Sequence, residues 1–188
     1  MSTEMISLKN HLLIAMPNSH DATFDRTVTL VCVNDDKGSF GITINRPINI
    51  TIGDVFDQLN LSTDNVVLND KRALAGGPVE SAQGFVLHDT DRRWESTMRI
   101  SKDLAVTSSR DILEDIINGD GPDNFLLTLG CANWAPHQLE EEMMSNAWLT
   151  CPVKNSILFE LPYKQRWVAA ANSMGVDLSR MSSSVGHA

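Results

Sequence analysis

The chain has 188 residues, 42% of them hydrophobic and 21% charged, a length and composition that fit one globular domain and argue against disorder. Folding a chain of this size buries roughly 70% of the surface exposed when unfolded, enough for a core without staples. A formal charge of −9 disfavours approach to DNA or to an anionic membrane surface, since the field of the whole molecule opposes both.

The longest basic runs are the pairs Lys71-Arg72 and Arg92-Arg93, too short for a phosphate-tracking stripe. Three cysteines, Cys32, Cys131 and Cys151, lack CxxC spacing and read as reduced thiols of a cytoplasmic protein. The start of the chain carries Glu4 and lacks the apolar run of a signal peptide. No stretch approaches the roughly 20 apolar residues that span a bilayer. The expectation is a cytoplasmic protein without a membrane partner.

Residues 1–10 are polar and read as flexible, with Leu8 a tether. Residues 11–16 (HLLIAM) form an apolar run stopped by Pro17, the pattern of a buried strand. Residues 27–33 (TVTLVCV) are β-branched and place Cys32 in a core strand. The turn at Asn34-Asp35-Asp36-Lys37-Gly38 returns the chain as 40–45 (FGITIN), a hairpin. It ends at Asn45-Arg46-Pro47, where proline removes a ladder donor. Thr51 and Asp54 have capping-box spacing, and Ile52, Val55, Phe56 and Leu59 follow at helical intervals.

Residues 66–68 are read as a strand, and Gly76-Gly77-Pro78 as a tight turn that permits close backbone approach or an anion-cradling nest. The structural turn is favoured because no P-loop pattern occurs. Residues 84–88 (GFVLH) form a strand ending in His88, a surface or hydrogen-bonding residue whose ordinary pKa also makes it a candidate acid or base. Residues 98–100 and 104–107 pair across a turn. Ser108 is placed as the cap of a helix running from Asp111 to the stop at Gly119. Residues 125–129 (FLLTL) are the central strand, 156–161 (SILFEL) another strand, and 163–174 a helix with Trp167, Ala170, Ala171 and Met174 on one face. The tail 179–188 is serine-rich and read as flexible, with Leu178 and Met181 able to dock. With no repeat and no linker, residues 1–188 make a single α+β domain. Its expected architecture is a β-rich core, or a partly closed sheet, flanked by short helices.

The densest chemistry lies in 130–149 (GCANWAPHQLEEEMMSNAWL), read as a turn and one short helix. Pro136 suits the first helical position, and Glu140, Glu141 and Glu142 complement the positive end of the helix. Helix-start physics and packing of Leu139, Met143 and Ala147 explain most of it. Three features go further. Cys131 lies in the turn before a helix N-terminus, where a thiol pKa can fall. Gln138, Glu142 and Asn146 share a polar face. His88 or His137 with a glutamate offers partners for a thiol triad, which only geometry decides. His137 near Glu140 and Glu141 lacks H-E-x-x-H spacing, so neither a metal nor a cofactor is expected.

Several separated motifs, in order, resemble the AlgH/YqgE family, a bacterial group of uncharacterised proteins carrying a transcriptional-regulator label. They are HLLIAMP at 11–17, FDRTV at 24–28, GITINRP at 41–47, GGPV at 76–79 and GFVLH at 84–88. TSSRD at 107–111, QLE at 138–140 through NAWL at 146–149, Arg166-Trp167 and the closing GHA follow. The resemblance implies a compact mixed domain with a β-rich core and flanking helices, and no established reaction or cofactor. Two departures stand out: Asn34 replaces a family histidine, and Asn133 and His137 stand where glycines are usual.

Three readings follow. The first is a non-enzymatic regulatory protein acting through a protein or small-molecule partner and not by direct nucleic-acid contact. The second is a ligand-binding protein or enzyme. Its pocket would lie between Asn45-Arg46-Pro47, Gly76-Gly77-Pro78 and the Trp134–Glu142 corner, with Arg46 and Arg110 clamping an anion beside Ser109. The third is a reactive thiol at Cys131. Direct DNA binding is the disfavoured alternative, with no helix-turn-helix or basic recognition helix in the pattern.

Overall fold

Strand β1 (His11–Ala15) shows why a continuous apolar run becomes a strand here: both of its faces are covered. Side chains alternate across a strand, and Leu12 and Ile14 enter one apolar cluster while Leu13 and Ala15 enter another. A computed structural model describes residues 6–17, 25–89 and 92–177; the expectations for the tail 179–188, Leu178 and Met181 lie outside these residues. Leu8 N–H donates to Asn34 Oδ1 at 2.8 Å and Asn10 N–H to the Val31 carbonyl at 2.9 Å. The chain is therefore tethered before residue 11, with Asn34 of the hairpin as the anchor.

From β1 the chain forms β2 (Val28–Asp35) and β3 (Gly38–Thr43), the expected hairpin. Then come β4 (Pro47–Thr51), β5 (Arg72–Ala75), β6 (Val79–His88), β7 (Thr97–Arg99), β8 (Ala105–Thr107), β9 (Phe125–Trp134) and β10 (Trp148–Pro152). The main order is β10-β1-β2-β3-β9-β6-β8-β7, with β5 joining β9 in parallel and β4 pairing β5. This mostly antiparallel sheet curls into a half-barrel. Helices α1 (Ile52–Gln58), α2 (Val66–Asp70), α3 (Asp111–Asn118), α4 (Gln138–Met144) and α5 (Tyr163–Asn172) lie on it. The α+β single-domain expectation holds. The largest cluster packs Leu30, Ile42, Leu74 and Leu87 with Ala170 and Ala171 of α5. A second lies under α1 and α3, a third under α4.

Strand β9 is the hub. Its first half lies between β5, through Thr128 and Leu129, and β6; its far end pairs Ala132, Asn133 and Trp134 with β3. The exchange happens at Gly130, whose φ is +81°. There the Gly76-Gly77 corner meets β9 backbone to backbone. A Cβ on Gly76 would sit 2.2 Å from the Gly130 carbonyl oxygen, and one on Gly77 2.2 Å from the Cys131 carbonyl. Gly76 also bridges two strands: its N–H donates to Leu129 O and its carbonyl accepts from Thr43 N–H, both at 2.8 Å. The expected close approach is thus a strand crossing.

Several local expectations are corrected. Residues 66–68 belong to helix α2, because Asn65 Oδ1 accepts the Leu68 N–H at 3.1 Å and caps a helical turn. A short apolar run cannot by itself distinguish helix from strand. Residues 156–160 form a π-helical turn that buries the neighbours Ile157 and Leu158, which strand alternation would have sent to opposite faces. The capping box at Thr51 and Asp54 and the left-handed stop at Gly119 are as expected. The cap of α3 is Arg110, not Ser108. Helix α4 begins two residues after Pro136, because Gln138 closes a turn on Ala135 with its backbone N–H and its side-chain Oε1.

The crossing makes a contrast measurable in urea. Gly76→Ala or Gly77→Ala forces two backbones apart and should cost about 4 kcal/mol or more. Gly119→Ala meets nothing within 4 Å and bears only its left-handed φ of +82°, about 1–2 kcal/mol. Equal losses at the three positions would show that the crossing is not the constraint.

Candidate binding site

The residues of the 130–149 corner separate in the fold. Cys131 does not occupy a turn before a helix; it lies inside β9, fully buried, opposite Val79. Burial, then the nearby Glu80 carboxylate and its hydrogen bond with the thiol, push the Cys131 pKa up to about 11. At neutral pH that leaves about one thiolate in 10⁴. The low-pKa thiol is therefore overturned. Burial, the charge of Cys131 and, in the opposing sense, Lys9 act on Cys32, and the net shift is upward.

The polar face of α4 is largely engaged by hydrogen bonds within the protein. Glu142 Oε2 accepts hydrogen bonds from two indoles, Trp134 Nε1 at 2.7 Å and Trp148 Nε1 at 3.2 Å, whose rings meet edge to face. Gln138 caps Ala135 N–H at 2.9 Å and bonds Glu142 at 3.5 Å. Glu140 accepts from Asn34 Nδ2 at 2.9 Å. Asn146 is exposed and ends the helix with φ +61°. His137, exposed at φ +65°, holds a left-handed position that suits the family glycine. Glu142 is a clamp between α4, β9 and β10, and Asn146 is a stop.

Asn45 and Arg46 are also engaged by backbone. Asn45 Oδ1 accepts from Val28 N–H and its Nδ2 donates to Arg26 O, each at 2.9 Å, while Arg46 Nη2 donates to Asp25 O at 2.9 Å. Pro47 opens β4 opposite Leu74, Gly76 and Gly77 form the crossing, and Pro78 is exposed beside it. His88 is fully buried, not at the surface. Its Nε2 bonds Thr107 Oγ1 at 2.8 Å, its Nδ1 has no partner among the described residues, and its ring meets Trp94 edge-on. These groups do not converge on one pocket with Cys131.

Ser109 and Arg110 do reach a cavity. A groove of about 470 Å³ lies between α1, β6, β9 and the start of α3. Val55, Leu59, Val86, Leu113, Leu127 and Leu129 supply apolar walls; Gln58, Gln83, Ser108, Ser109 and Arg110 supply polar ones. One wall follows from a bulge: residues 80–83 of β6 face the single residue Gly130 of β9, and all four are exposed. Arg110 Nε bonds Glu114 at 3.0 Å on an exposed i,i+4 pair, so its Nη nitrogens have no protein partner among the described residues. Desolvation raises the Asp111 pKa, but hydrogen bonds from the Ser109 hydroxyl and the Glu95 and Ile112 amides outweigh it and lower the pKa. Asp111 thus satisfies the helix start and leaves Arg110 as the cation at the rim. The groove was not legible as such: its floor looks like ordinary core, and no local motif marks the bulge. Among the described residues, no group of three His, Cys, Asp or Glu side chains has metal-binding geometry.

Burial makes His88 a pH-linked group. Burial lowers its pKa to about 4, the Asp89 charge opposing, against about 6.5 in an unfolded chain. Between these values the unfolded state binds more protons, so stability is full above pH 6.5 and falls as pH drops towards 4. The shift corresponds to about 3 kcal/mol at most. In urea unfolding, wild type should lose more stability than His88→Gln between pH 7 and 5; parallel losses would show that His88 carries no such shift.

Comparison with known proteins places this geometry. The DUF179 family, described as AlgH-like, matches residues 12–179. A UPF0301 protein of Saccharophagus degradans is 46% identical over 185 residues, 98% of this chain and 91% of its own. Another from Stenotrophomonas maltophilia is 45% identical, covering 96% of each chain. The solution structure of the AlgH protein from Pseudomonas aeruginosa superposes with a TM-score of 0.81 at 39% identity, covering 100% of both chains. Protein DIP2367 of Corynebacterium diphtheriae shares the fold at TM-score 0.71 and 19% identity, over 95% and 92% of the two chains. Family match, whole-length identity and superposition agree with the motif order: the chain belongs to the AlgH-like family.

Proposed function

We propose that this protein is a non-catalytic, cytoplasmic interaction protein that works by holding a small molecule in the groove between α1, β6 and α3. The ligand has an apolar body and an anionic end. The groove carries this reading: apolar residues line it, one cation stands at its rim, and its volume lies within the 300–1,000 Å³ of small-molecule sites. Burial of the thiols and of His88, and engagement of Glu142 by two indoles, support binding over catalysis. A regulatory role would follow from a ligand-dependent change in the conformation that the exposed 80–83 bulge presents to a protein partner. The cytoplasmic assignment rests on the unpaired thiols. No helix among the described residues is long and apolar enough to cross a membrane. Regulation by direct DNA contact is disfavoured by the charge of −9.

Octanoate is a suitable probe. In an NMR titration the amides of Leu59, Gln83, Gly84 and Arg110 should shift together and saturate, and Arg110→Gln should weaken binding about tenfold, the worth of one charge-assisted hydrogen bond. Scattered or absent shifts up to millimolar octanoate would remove the groove as the site. Duplex DNA at physiological salt should bind no tighter than nonspecifically, at micromolar or weaker Kd; a nanomolar, sequence-dependent complex would overturn the indirect reading.

A further inference from the structure

A second cavity, of about 430 Å³, shares no lining residue with the groove. It lies where α5 begins, between the residues following the π-helical turn and the start of β9. Lys71, Arg166, Asn124, Phe159 and Tyr163 line it, with the carboxylates Asp123 and Glu160 also at its wall.

The cations are its unusual feature. Arg166 is only 2% exposed, yet no carboxylate lies within ion-pair distance of it or of Lys71 among the described residues. The guanidinium is held by carbonyls, Nε donating to Leu161 O at 3.2 Å and Nη1 to Ile44 O, and it lies over the Tyr163 ring. Its Nη2, on a side chain that lines the cavity, has no protein partner among the described residues. Lys71 Nζ reaches Phe125 O at 3.4 Å and stands 4.6 Å from the Phe125 ring centroid. Burial, then the charge of Arg166, lower the Lys71 pKa, and burial lowers that of Arg166. Two like charges thus line one cavity, and among the described residues neither makes an ion pair with the carboxylates at its wall. The ten-residue helix α5 opens at the same place, and its N-cap Pro162 makes no side-chain capping bond. An uncapped helix start attracts negative charge.

A buried charge without an ionic partner is costly unless something else compensates it, and here a ligand would do so. We infer that the cavity between α5 and β9 is a binding site for the oxyanion of a small molecule, a phosphate monoester or a carboxylate. Arg166 Nη2, the Lys71 ammonium and the first amides of α5 are its donors. Asp123 and Glu160 at the wall favour a ligand with one compact anionic group over a polyanion, and the volume admits a body of metabolite size. Nucleic acid is disfavoured because a duplex could not enter.

The test uses the full chain and inorganic phosphate, phenyl phosphate and benzoate in separate NMR titrations at physiological salt. Amides of Lys71, Asn124, Tyr163 and Lys164 and the Arg166 Nε–H should shift together, with the Leu59, Gln83 and Arg110 signals unmoved. A tighter response to phenyl phosphate than to benzoate assigns a phosphoryl ligand, the reverse a carboxylate; both support an oxyanion site. Lys71→Met keeps the aliphatic stem and should weaken binding at least tenfold, whereas Lys37→Met, an exposed charge on the β2–β3 turn, should change it less than twofold. Arg166→Lys provides a second variant: Lys cannot reproduce the fork, so binding should fall while the thermal transition shows whether the fold persists. No saturable shift up to ten millimolar of any probe, or equal losses from Lys71→Met and Lys37→Met, would overturn the site.

Discussion

Everything in this fold turns on the absence of three Cβ atoms where the Gly76-Gly77 corner crosses Gly130. Two backbones approach so closely that a methyl group would lie 2.2 Å from a carbonyl atom on the opposing chain. That approach lets β9 leave β5, take β3 as its new neighbour and keep β6 on its other side. A sheet that stayed flat would expose both faces of β9; curling lets Leu126 and Cys131 enter the inner cluster while Leu127 and Ala132 pack under separate helices. The same kink produces the excess of residues in β6, and that bulge is one wall of the groove. Architecture and cavity share one cause.

The crossing also explains why the reactive side chains suggested by composition do not gather in one site. Continuing the strand through Gly130 puts Cys131 inside the sheet, where burial and Glu80 raise its pKa. Extending β9 to Trp134 brings that indole to Trp148, and two N–H donors in a largely apolar setting need an acceptor. Glu142, four residues after Gln138 and one turn further along the helix, is the group in reach. The carboxylate that resembles a ligand contact is held as the partner of two indoles.

Legibility in the sequence followed the range of the interactions. The hairpin at Asn34–Gly38, the Thr51 capping box and the Gly119 stop depend on neighbours within a few residues, and their residue types identify them. The glycine pair was legible as close approach, though not which strand approached it. Residues 66–68 and 156–161 read as strands because a few apolar side chains fit either period; the Asn65 cap and the burial of adjacent Ile157 and Leu158 decide for helical turns at 66–70 and 156–160. The site was less legible still. Ser109 and Arg110 do line the groove, but their neighbours come from α1, β6 and β9, and Lys71 and Arg166 meet across 95 positions that no local pattern connects.

The balance of charge bears on both cavities. In a protein of net charge −9 a surface cation readily finds carboxylates, as Arg110 does with Glu114 and Arg92 with Asp115. Such exposed pairs contribute little to stability. Arg166 is treated differently by the fold: its partners are carbonyl oxygens and an aromatic face, which orient the guanidinium without cancelling its charge. A cation needed only for packing could have been replaced by an apolar chain of similar volume at little cost. Keeping the charge, orienting it and placing Lys71 beside the same cavity is an arrangement whose donors suit one compact anionic group, against the negative field of the molecule as a whole.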